Sequence, residues 1–411
     1  MTAFEKPGAG DDDYPEFAAK AGRRALEDAG VEYDAVDQVV TSYCYGDSTC
    51  GQRAVYEIGL SGVPIYNVNN NCASGSSALF MAKQFVEGGL SECVMTLGFE
   101  KMQRGSLGSN FQDRTNPMDK HMMKMMELHE FAPAPPAAQM FGNAGKEHAE
   151  RYGTKPETFA KIAYKNHKNS TRNPYSQFMD EYSLDQIMKS PQVYGPLTKL
   201  QCCPTSDGAA SVIVASEDFV KKHGLEGQAV EIVGMSMATD AKDVFESGSM
   251  MKIVGFDMSR NAADAAYKAA GVSPSDVNVC ELHDCFSANE LITYEALRFC
   301  PEGKAEDFVQ SGANDYGGQV VCQPSGGLIS KGHPLGATGL AQCCEISWQL
   351  RGEAADRQVK DAKIGMTHNL GLGGAAVVGI YKRPTEWLSK SPKRKVSLAT
   401  GPPDRQTTAR L

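Results

Sequence analysis

The sequence predicts an α/β protein built from two similar halves, with an insertion between them. Stretches rich in valine and isoleucine alternate with helical stretches rich in alanine and glycine, a composition typical of helices packed closely on sheets. Three segments of the first half recur in the same order in the second half. Residues 101–196 differ from both halves, because they are rich in methionine, proline and polar side chains.

Composition narrows the class of protein. With 411 residues the chain has room for about two to three domains. Hydrophobic residues make up 41% and charged residues 22%, which is ordinary for a globular protein. The net charge of −9 indicates no nucleic-acid or anionic-membrane partner. Because the chain has neither a long apolar run nor a secretory signal in residues 1–7, we expect a soluble intracellular protein without a membrane span.

The 12 cysteines show no Cys-x-x-Cys pair and no Cys/His cluster at zinc-ligand spacing, so the sequence predicts no metal site. A reducing compartment disfavours structural disulfides. Most of the cysteines are therefore expected to be small buried core residues.

The first half predicts a helix, two strands, a second helix and a third strand. These predictions cover, in order, residues 18–30 with a stop at Gly30, residues 35–43, residues 62–68, a helix beginning at Cys72, and residues 93–98.

The second half repeats this order with a helix at 262–271 and strands at 276–283 and 362–368. At a constant offset Ala29 aligns with Ala270 and Cys44 with Cys285, and farther on Cys72 falls on His333. Three segments in the same order indicate a structural repeat.

These patterns predict four regions. Residues 1–100 and 197–228 form the first half, 101–196 form a loop domain that caps a site, 229–383 form the second half, and 384–411 form a flexible basic tail.

Cys72 is a candidate nucleophile, because a strand-to-helix turn places its sulfur near a helix N-terminus, which lowers the pKa of a thiol. Taken alone, Cys72 is equally compatible with a buried structural cysteine, and His333 with a helix-capping histidine. If the halves pack about a pseudo-twofold axis, however, Cys72 faces His333, and a thiol beside an imidazole is an activated nucleophile. The pair favours catalysis.

Two further segments carry polar groups at predicted strand ends. Residues 283–286 (His-Asp-Cys-Phe) are too polar for a plain buried strand end. Residues 368–374 (His-Asn-Leu-Gly-Leu-Gly-Gly) are predicted to end a strand with a glycine-rich loop that supplies backbone N–H donors. No nucleotide-binding glycine motif follows a predicted strand.

Together these residues resemble the thiolase family, from Phe4 to Arg383. Residues 70–75 (Asn-Asn-Cys-Ala-Ser-Gly), 206–209 (Ser-Asp-Gly-Ala) and 332–339 (Gly-His-Pro-Leu-Gly-Ala-Thr-Gly) are similar to its signature segments in order. Residues 283–286 stand where most thiolases have Asn-Glu-Ala-Phe, and 368–374 stand where they have Cys-x-Gly-Gly-Gly-x-Gly. Both replacements resemble the peroxisomal, sterol-carrier-protein-X type of thiolase.

The resemblance implies a five-layered αβαβα thiolase fold that is usually dimeric and binds coenzyme A. It makes Cys72 the acylated nucleophile, His333 its activating partner and His283 a holder of the thioester oxygen. Backbone N–H groups of Cys72 and of residues around 370–371 would form a second oxyanion hole. His368 stands where most thiolases have the acid/base cysteine, so Cys285 is expected to inherit that role.

The implied activity is that of a 3-oxoacyl-CoA thiolase, an acyltransferase that works by ping-pong acyl transfer without a cofactor other than coenzyme A as substrate. The implied substrates include 2-methyl-branched and sterol side-chain acyl-CoAs. We also expect a homodimer and a peroxisomal location, since Ala409-Arg410-Leu411 imitates the Ser-Lys-Leu address read by the import receptor.

Two other functions stay open. One is a related condensing enzyme, and the other is a non-catalytic acyl-CoA-binding or lipid-binding relative. The second is motivated by the segment matching residues 1–7, which in the family usually follows a short strand. Without that strand a sheet edge is expected to be exposed. The sterol-carrier domain that often follows such a thiolase is not expected here, nor is lipid transfer by it.

Overall fold

The structure is a computed structural model that describes residues 1–103, 107–108, 111–393 and 401. The described helices are α1 (Tyr14–Ala29), α2 (Cys50–Tyr56), α3 (Ser74–Glu87), α4 (Asp119–Leu128), α5 (Pro136–Tyr152), α6 (Pro156–Ser170), α7 (Leu184–Lys189), α8 (Glu217–His223), α9 (Met250–Ile253), α10 (Phe256–Ala270), α11 (Ser287–Ala296), α12 (Ala305–Gln310), α13 (Gly327–Lys331) and α14 (Leu335–Arg351). The described strands are β1 (Gln38–Ser42), β2 (Ile65–Val68), β3 (Cys93–Glu100), β4 (Gln192–Tyr194), β5 (Leu197–Thr198), β6 (Gly208–Ala215), β7 (Glu231–Ala238), β8 (Val279–Glu281), β9 (Val321–Cys322), β10 (Ile364–Gly371) and β11 (Ala375–Lys382).

Local signals explain the ends of the first elements. Helix α1 begins with a capping box between Asp13 and Glu16, and it ends at Gly30, whose φ of 69° is left-handed. The helix stop predicted at Gly30 is confirmed. The strand predicted over 35–43 is shorter, because a 3₁₀ turn occupies Tyr33–Ala35 and leaves only β1 extended.

The two halves form sheets of the same design. In the first sheet the strand order is β2-β1-β3-β6, with β1 parallel to both neighbours and β6 antiparallel to β3. In the second sheet β9-β8-β10-β11 repeat this order and these directions, and β7 adds a further antiparallel strand beside β11. The predicted structural repeat is confirmed.

The layers follow from what each helix covers. Helix α1 packs on the outer face of the first sheet, and α10 packs on the outer face of the second. Helices α3 and α14 lie between the sheets, where Leu79 and Leu340 are fully buried in one apolar cluster. The order is therefore the expected αβαβα.

The central helices touch at glycines. A Cβ added at Gly339 of α14 would lie 2.2 Å from Ser76 Oγ of α3, and one at Gly75 would lie 2.9 Å from the carbonyl oxygen of Gly336. Only hydrogen fits at these two positions, so the helices approach closely near their N-termini. This crossing brings the turn before α3 next to the turn before α14.

The first sheet has no counterpart of β7 among the described residues. Residues 1–5 pair with the chain at the start of β6, where Glu5 bridges Asp207 and the Thr2 amide donates to the carbonyl oxygen of Ala209 at 2.9 Å. The Phe4 amide donates instead to the carbonyl oxygen of Tyr175, also at 2.9 Å. Beyond that pairing, the rest of β6 lines a groove of about 700 Å³ between the two halves. The described part of the chain therefore has the open sheet edge that the resemblance predicts.

The region predicted as a loop domain, residues 101–196, contains helices α4 to α7 and strand β4, whose hairpin partner β5 lies just beyond residue 196. Helices α5 and α6 both pack on α11 of the second half. The inserted region thus packs against the second half, which contains His283 and Cys285.

The first residues of the predicted flexible tail, 384–393, pack against the folded part of the chain. Trp387 is buried in the apolar cluster beneath α1 and α8, and the Lys393 amide donates to Gln228 Oε1 at 3.1 Å. A large aromatic ring that covers apolar surface orders the chain before and after it. Residues 394–400 and 402–411, which include the Ala409-Arg410-Leu411 prediction, lie outside the described residues.

None of the described helices combines the length and apolarity needed to cross a bilayer.

Candidate active site

Cys72 lies in the turn between β2 and α3, two residues before the helix begins. The preceding residue, Asn71, has a left-handed φ of 53°, and its side-chain Nδ2 donates to the carbonyl oxygen of Leu372 at 3.0 Å. A Cβ added at Gly371 would lie 2.2 Å from the carbonyl oxygen of Asn70. The turn that carries Cys72 thus packs tightly against the end of β10 and the turn that follows it. Cys72 Sγ lies 3.7 Å from Asn71 Oδ1.

His333 lies at the equivalent turn before α14. Its backbone amide donates to Ser206 Oγ at 2.9 Å, which explains the signature segment at 206–209. Its ring Nδ1 lies 2.7 Å from Thr338 Oγ1, and that hydroxyl donates to the carbonyl oxygen of Pro334 at 3.0 Å. Because Thr338 has one proton and gives it to Pro334, the imidazole Nδ1 must carry a proton. His333 Nε2, which is buried without a hydrogen-bond partner, is then the basic nitrogen.

His283 follows β8 at the same edge. Its Nδ1 lies 3.1 Å from Asn369 Nδ2, an orientation in which the amide donates and the imidazole carries its proton on Nε2. The ring meets His333 edge to face, with centroids 5.1 Å apart and planes at 80°.

The fold brings three of the predicted residues together. The sulfur of Cys72 and one ring nitrogen each of His283 and His333 all lie within 4.8 Å of one another. They come from separate segments that meet where α3 and α14 cross. A nucleophile, a base with a free lone pair and an N–H donor therefore surround one point, which is the arrangement that acyl transfer needs.

Cys285 is buried beside this trio, in the turn that precedes α11. Its carbonyl oxygen accepts from the Cys203 amide at 2.9 Å. Burial raises the pKa of its thiol well above the usual value, and the nearby thiols of Cys203 and Cys72 and the carboxyl of Asp284 raise it further. Cys285 is therefore held as a neutral thiol and can donate a proton.

His368 does not end its strand as the sequence predicted. The strand continues for three residues beyond it to Gly371, because β10 and β11 stay paired, with His368 opposite Val378. Both of its ring nitrogens are engaged: Nε2 lies 2.9 Å from Ser259 Oγ, and Nδ1 accepts from the His283 amide at 3.4 Å. His368 thus supports the backbone of His283.

Burial decides the protonation states. The pKa of Cys72 is raised to about 12, first by desolvation and then by the nearby carboxyl of Glu100, so the lowering predicted from the helix N-terminus is outweighed. Desolvation lowers the pKa of His333 to about 3 and that of His368 to about 3. The pKa of His283 falls well below its usual value for the same reason. At neutral pH the resting site holds a thiol among neutral imidazoles.

Glu100 was not singled out from the sequence. It ends β3, and its carboxylate accepts from the amides of Cys44, Tyr45 and Gly336, the last at 2.9 Å. Desolvation raises its pKa to about 7 against the lowering effect of those amides. The carboxyl ties the edge of the first sheet to the first turn of α14.

Cys203, Thr338 and Asn369 were also not assigned roles. Thr338 lies inside segment 332–339 and Asn369 inside segment 368–374, so both could have been noticed in the sequence. Only the hydrogen bonds of the folded chain show which histidine ring nitrogens they contact. Cys203 carries no local signal, because its place beside Cys285 depends on a contact between distant segments. The inserted region also reaches the site, since a Cβ added at Gly373 would lie 3.1 Å from Met118 Sδ.

Comparison with known proteins gives the family. The family description "Thiolase, N-terminal domain" matches residues 1–218, and "Thiolase C-terminal domain-like" matches residues 240–383. A protein named sterol carrier protein 2 from Oryctolagus cuniculus is 62% identical over 384 residues, 93% of this chain and 70% of that protein. An acetyl-CoA acetyltransferase from Methanothermobacter thermautotrophicus is 34% identical over 376 residues, 90% of this chain and 94% of that protein.

Among solved structures, the Ltp2-ChsH2(DUF35) aldolase covers 94% of this chain and 96% of its own, with a TM-score of 0.79 and 22% identity. That likeness shows the fold alone. With both family descriptions matched and the nucleophile turn, the histidine turn and the repeated sheets in place, the chain belongs to the thiolase family.

Proposed function

We propose that the protein is a 3-oxoacyl-CoA thiolase that cleaves its substrate with coenzyme A. The observation that carries this function is the meeting of the Cys72 thiol with a ring nitrogen each of His283 and His333, together with the unpartnered Nε2 of His333. A resting thiol with a raised pKa needs a base within reach, and a neutral imidazole with a free lone pair is such a base.

In the first half-reaction His333 Nε2 takes the proton of Cys72, and Sγ attacks the 3-oxo carbon of the substrate. His283 Nε2–H donates to the thioester oxygen of the enolate that departs. The bond between C2 and C3 breaks, Cys72 keeps the shortened acyl group, and Cys285 gives its thiol proton to the enolate carbon. The neutral state of Cys285 suits this donor step.

In the second half-reaction the Cys285 thiolate takes the thiol proton of coenzyme A. The coenzyme A sulfur then attacks the acyl carbon, and the thiolate of Cys72 leaves and recovers its proton from His333. Backbone N–H groups of Cys72 and of residues around Leu370 and Gly371 hold the tetrahedral oxyanion. The close packing of Gly371 on the nucleophile turn supports this assignment.

The proposed substrates are 3-oxoacyl-CoAs of fatty-acid, 2-methyl-branched and sterol side-chain β-oxidation, with acetyl-CoA or propanoyl-CoA released. Support comes from the name of the relative that is 62% identical, a sterol carrier protein, and from that of the more distant acetyl-CoA acetyltransferase. No cofactor is proposed beyond coenzyme A itself, since a thiol and imidazoles suffice for acyl transfer.

The test is a thiolysis assay of the purified chain with straight and 2-methyl-branched 3-oxoacyl-CoAs, joined to mass spectrometry of the acylated enzyme. We expect cleavage that depends on coenzyme A and a single acyl adduct on Cys72. Claisen condensation of acyl-CoAs without measurable thiolysis would favour the condensing enzyme instead. A folded protein that binds acyl-CoA but forms no adduct would favour the non-catalytic relative.

A homodimer belongs to the same proposal. Strand β2 is an edge of the first sheet in the described part of the chain, and Tyr66 on it is 39% exposed. An edge strand with an exposed aromatic ring is suited to pair with a second copy. Sedimentation velocity should give the mass of a dimer, and a monomer at micromolar concentration would contradict this part.

Peroxisomal location is the remaining part, resting on Ala409-Arg410-Leu411. A fluorescent protein fused to the N-terminus should reach peroxisomes, and deletion of Leu411 should leave it in the cytosol. Cytosolic signal from the intact fusion, in cells that import a control cargo, would refute the location.

A further inference from the structure

Three potential metal ligands converge in the site. Sγ of Cys72 and a ring nitrogen of each of His283 and His333 lie within 4.8 Å of one another, and no other such group of cysteine, histidine and acidic side chains occurs among the described residues. We propose that this trio binds one Zn²⁺ ion reversibly and that the ion blocks the nucleophile. Sequence spacing gave no sign of this site, because the ligands stand 50 or more positions apart.

The donor set suits zinc. One thiolate and two imidazoles are ligands that Zn²⁺ prefers, at about 2.3 Å for sulfur and 2.0–2.1 Å for nitrogen. In a tetrahedral site those bonds place the ligand atoms roughly 3.3–3.6 Å apart. Because the three atoms lie within 4.8 Å of one another, each pair reaches that spacing by closing at most about 1.5 Å. Water takes the fourth position, as in zinc sites with three protein ligands.

His333 is prepared as a ligand by its surroundings. Its Nε2 is buried and has no hydrogen-bond partner, while its Nδ1 faces Thr338 Oγ1 at 2.7 Å. A metal-bound histidine normally donates its other ring N–H to such an acceptor, which fixes the ring and its tautomer. The Nε2 atom is therefore available to the ion without any rearrangement of hydrogen bonds.

His283 can become a ligand once the side-chain amide of Asn369 flips. As described, Asn369 Nδ2 faces His283 Nδ1 at 3.1 Å, and Asn369 Oδ1 is buried without a partner. When the amide rotates by half a turn, Oδ1 accepts from Nδ1–H, and Nε2 presents a lone pair to the metal. The rotation also satisfies the buried carbonyl oxygen of the Asn369 side chain.

Coordination replaces the S–H bond of Cys72 with a Zn–S bond, and the proton leaves to solvent. The carboxyl of Glu100, which acts electrostatically on Cys72, adds negative charge beside the ion. The ion then occupies both the nucleophile and the lone pair of its base. Acyl transfer must stop until the ion leaves, and an acyl group on Cys72 must exclude the ion.

Binding of the ion does not depend on the proposed function, whereas the loss of thiolysis does. The test therefore uses Co²⁺ as a spectroscopic probe on the reduced, full-length protein. We expect one Co²⁺ per chain, with a thiolate-to-cobalt charge-transfer band that Zn²⁺ abolishes by displacement. Cys72→Ala should remove the band, and His333→Asn should weaken binding by more than about 10-fold. Cys344→Ala, a partly buried thiol on α14, serves as the matched control and should keep the band.

The outcomes separate the two proposals. A band that persists in folded Cys72→Ala, or a wild-type protein that binds no Co²⁺, overturns the zinc site. Thiolysis that proceeds unchanged with Zn²⁺ bound overturns the blocking role. A cobalt band in a protein with no thiolysis of any 3-oxoacyl-CoA leaves the zinc site standing and removes the proposed function. If both hold, Zn²⁺ inhibits thiolysis, chelation restores it, and prior acylation of Cys72 protects it.

Discussion

Thr338 Oγ1 lies 2.7 Å from His333 Nδ1 and donates its only proton to the carbonyl oxygen of Pro334, 3.0 Å away. One hydroxyl on the first turn of α14 thus decides which nitrogen of the ring is basic. In that tautomer the buried Nε2, which has no hydrogen-bond partner, keeps the lone pair that can accept the thiol proton of Cys72.

The first prediction is that Thr338→Val lowers kcat of thiolysis by roughly 10- to 100-fold, the range for partners behind a working imidazole. Valine keeps the shape but leaves Nδ1–H buried without an acceptor, which favours the wrong tautomer. KM should change little, because Thr338 is fully buried and its hydroxyl is taken up by His333 and the carbonyl oxygen of Pro334. Steady-state kinetics check this, and Thr338→Ser should recover most of the rate. A serine variant as slow as the valine variant would show that packing, not the hydroxyl, matters.

The second prediction concerns Asn369, whose amide nitrogen lies 3.1 Å from His283 Nδ1. Asn369→Asp replaces a donor with an acceptor, so the proton of His283 moves to Nδ1 and Nε2 loses its N–H. The oxyanion then lacks a donor, and kcat should fall by about 10²- to 10³-fold.

The matched control is Asn278→Asp, at the residue that precedes β8. Its side-chain Oδ1 accepts from the backbone amides of Lys363 and Ile364, at 2.9 and 3.0 Å, beside the start of β10. An aspartate serves those amides equally well, so its rate should match the wild type. Equal losses in both variants would remove the tautomer argument for His283.

Local sequence signals predicted the parts of the fold that depend on near neighbours. Gly30 ends α1 because it adopts a left-handed conformation, and Cys72 and His333 face each other because the two halves repeat their turns. The length of β10 depends instead on pairing with β11, so His368 was placed wrongly at a strand end. The raised pKa of Cys72 depends on burial and on Glu100, which only the assembled sheets bring near it.

The tautomers of His333 and His283 could not be predicted from the sequence for the same reason. Thr338 and His333 are five positions apart and could be paired by inspection, but the partner of the hydroxyl proton is a backbone carbonyl. Asn369 and His283 stand 86 positions apart, and β10 pairs with β8 before their side chains meet. Motifs therefore identified which residues share the site, while contacts across the sheet set what each one does.

The third prediction is a pH dependence of stability from Glu100. Its folded pKa is about 7 against an ordinary value of 4.5, so the folded chain holds this proton more tightly than the unfolded chain. The contribution to stability is present below about pH 4.5 and is lost as the pH rises through 7, by at most about 3 kcal/mol. Chemical denaturation on both sides of that window should show the fall.

Glu100→Gln should flatten this fall, because an amide does not titrate. The variant should also be less stable overall, since its NH₂ group faces backbone donors such as the Gly336 amide. Glu87→Gln, at an exposed end of α3, should keep the wild-type slope. A slope unchanged by Glu100→Gln would mean that other groups cause it.

The last prediction separates Cys285 from His368 as the proton carrier. Cys285 lies near the Cys72 and Cys203 thiols as a neutral thiol, whereas both nitrogens of His368 are already engaged, by Ser259 Oγ and the His283 amide. Cys72→Ala should abolish the acyl-enzyme altogether. Cys285→Ala should fold and bind acyl-CoA, yet lose about 10²- to 10⁴-fold in turnover, as expected for a general acid/base.

His368→Asn retains a polar side chain in β10 and is expected to cost less turnover than Cys285→Ala. Single-turnover kinetics locate the defect, because a missing proton donor slows C–C cleavage and a missing base slows attack by coenzyme A. Cys285→Ala should slow both steps, since one thiol serves as donor and then as base. Near-normal turnover in Cys285→Ala, together with loss in His368→Asn, would assign the proton transfer to the histidine instead.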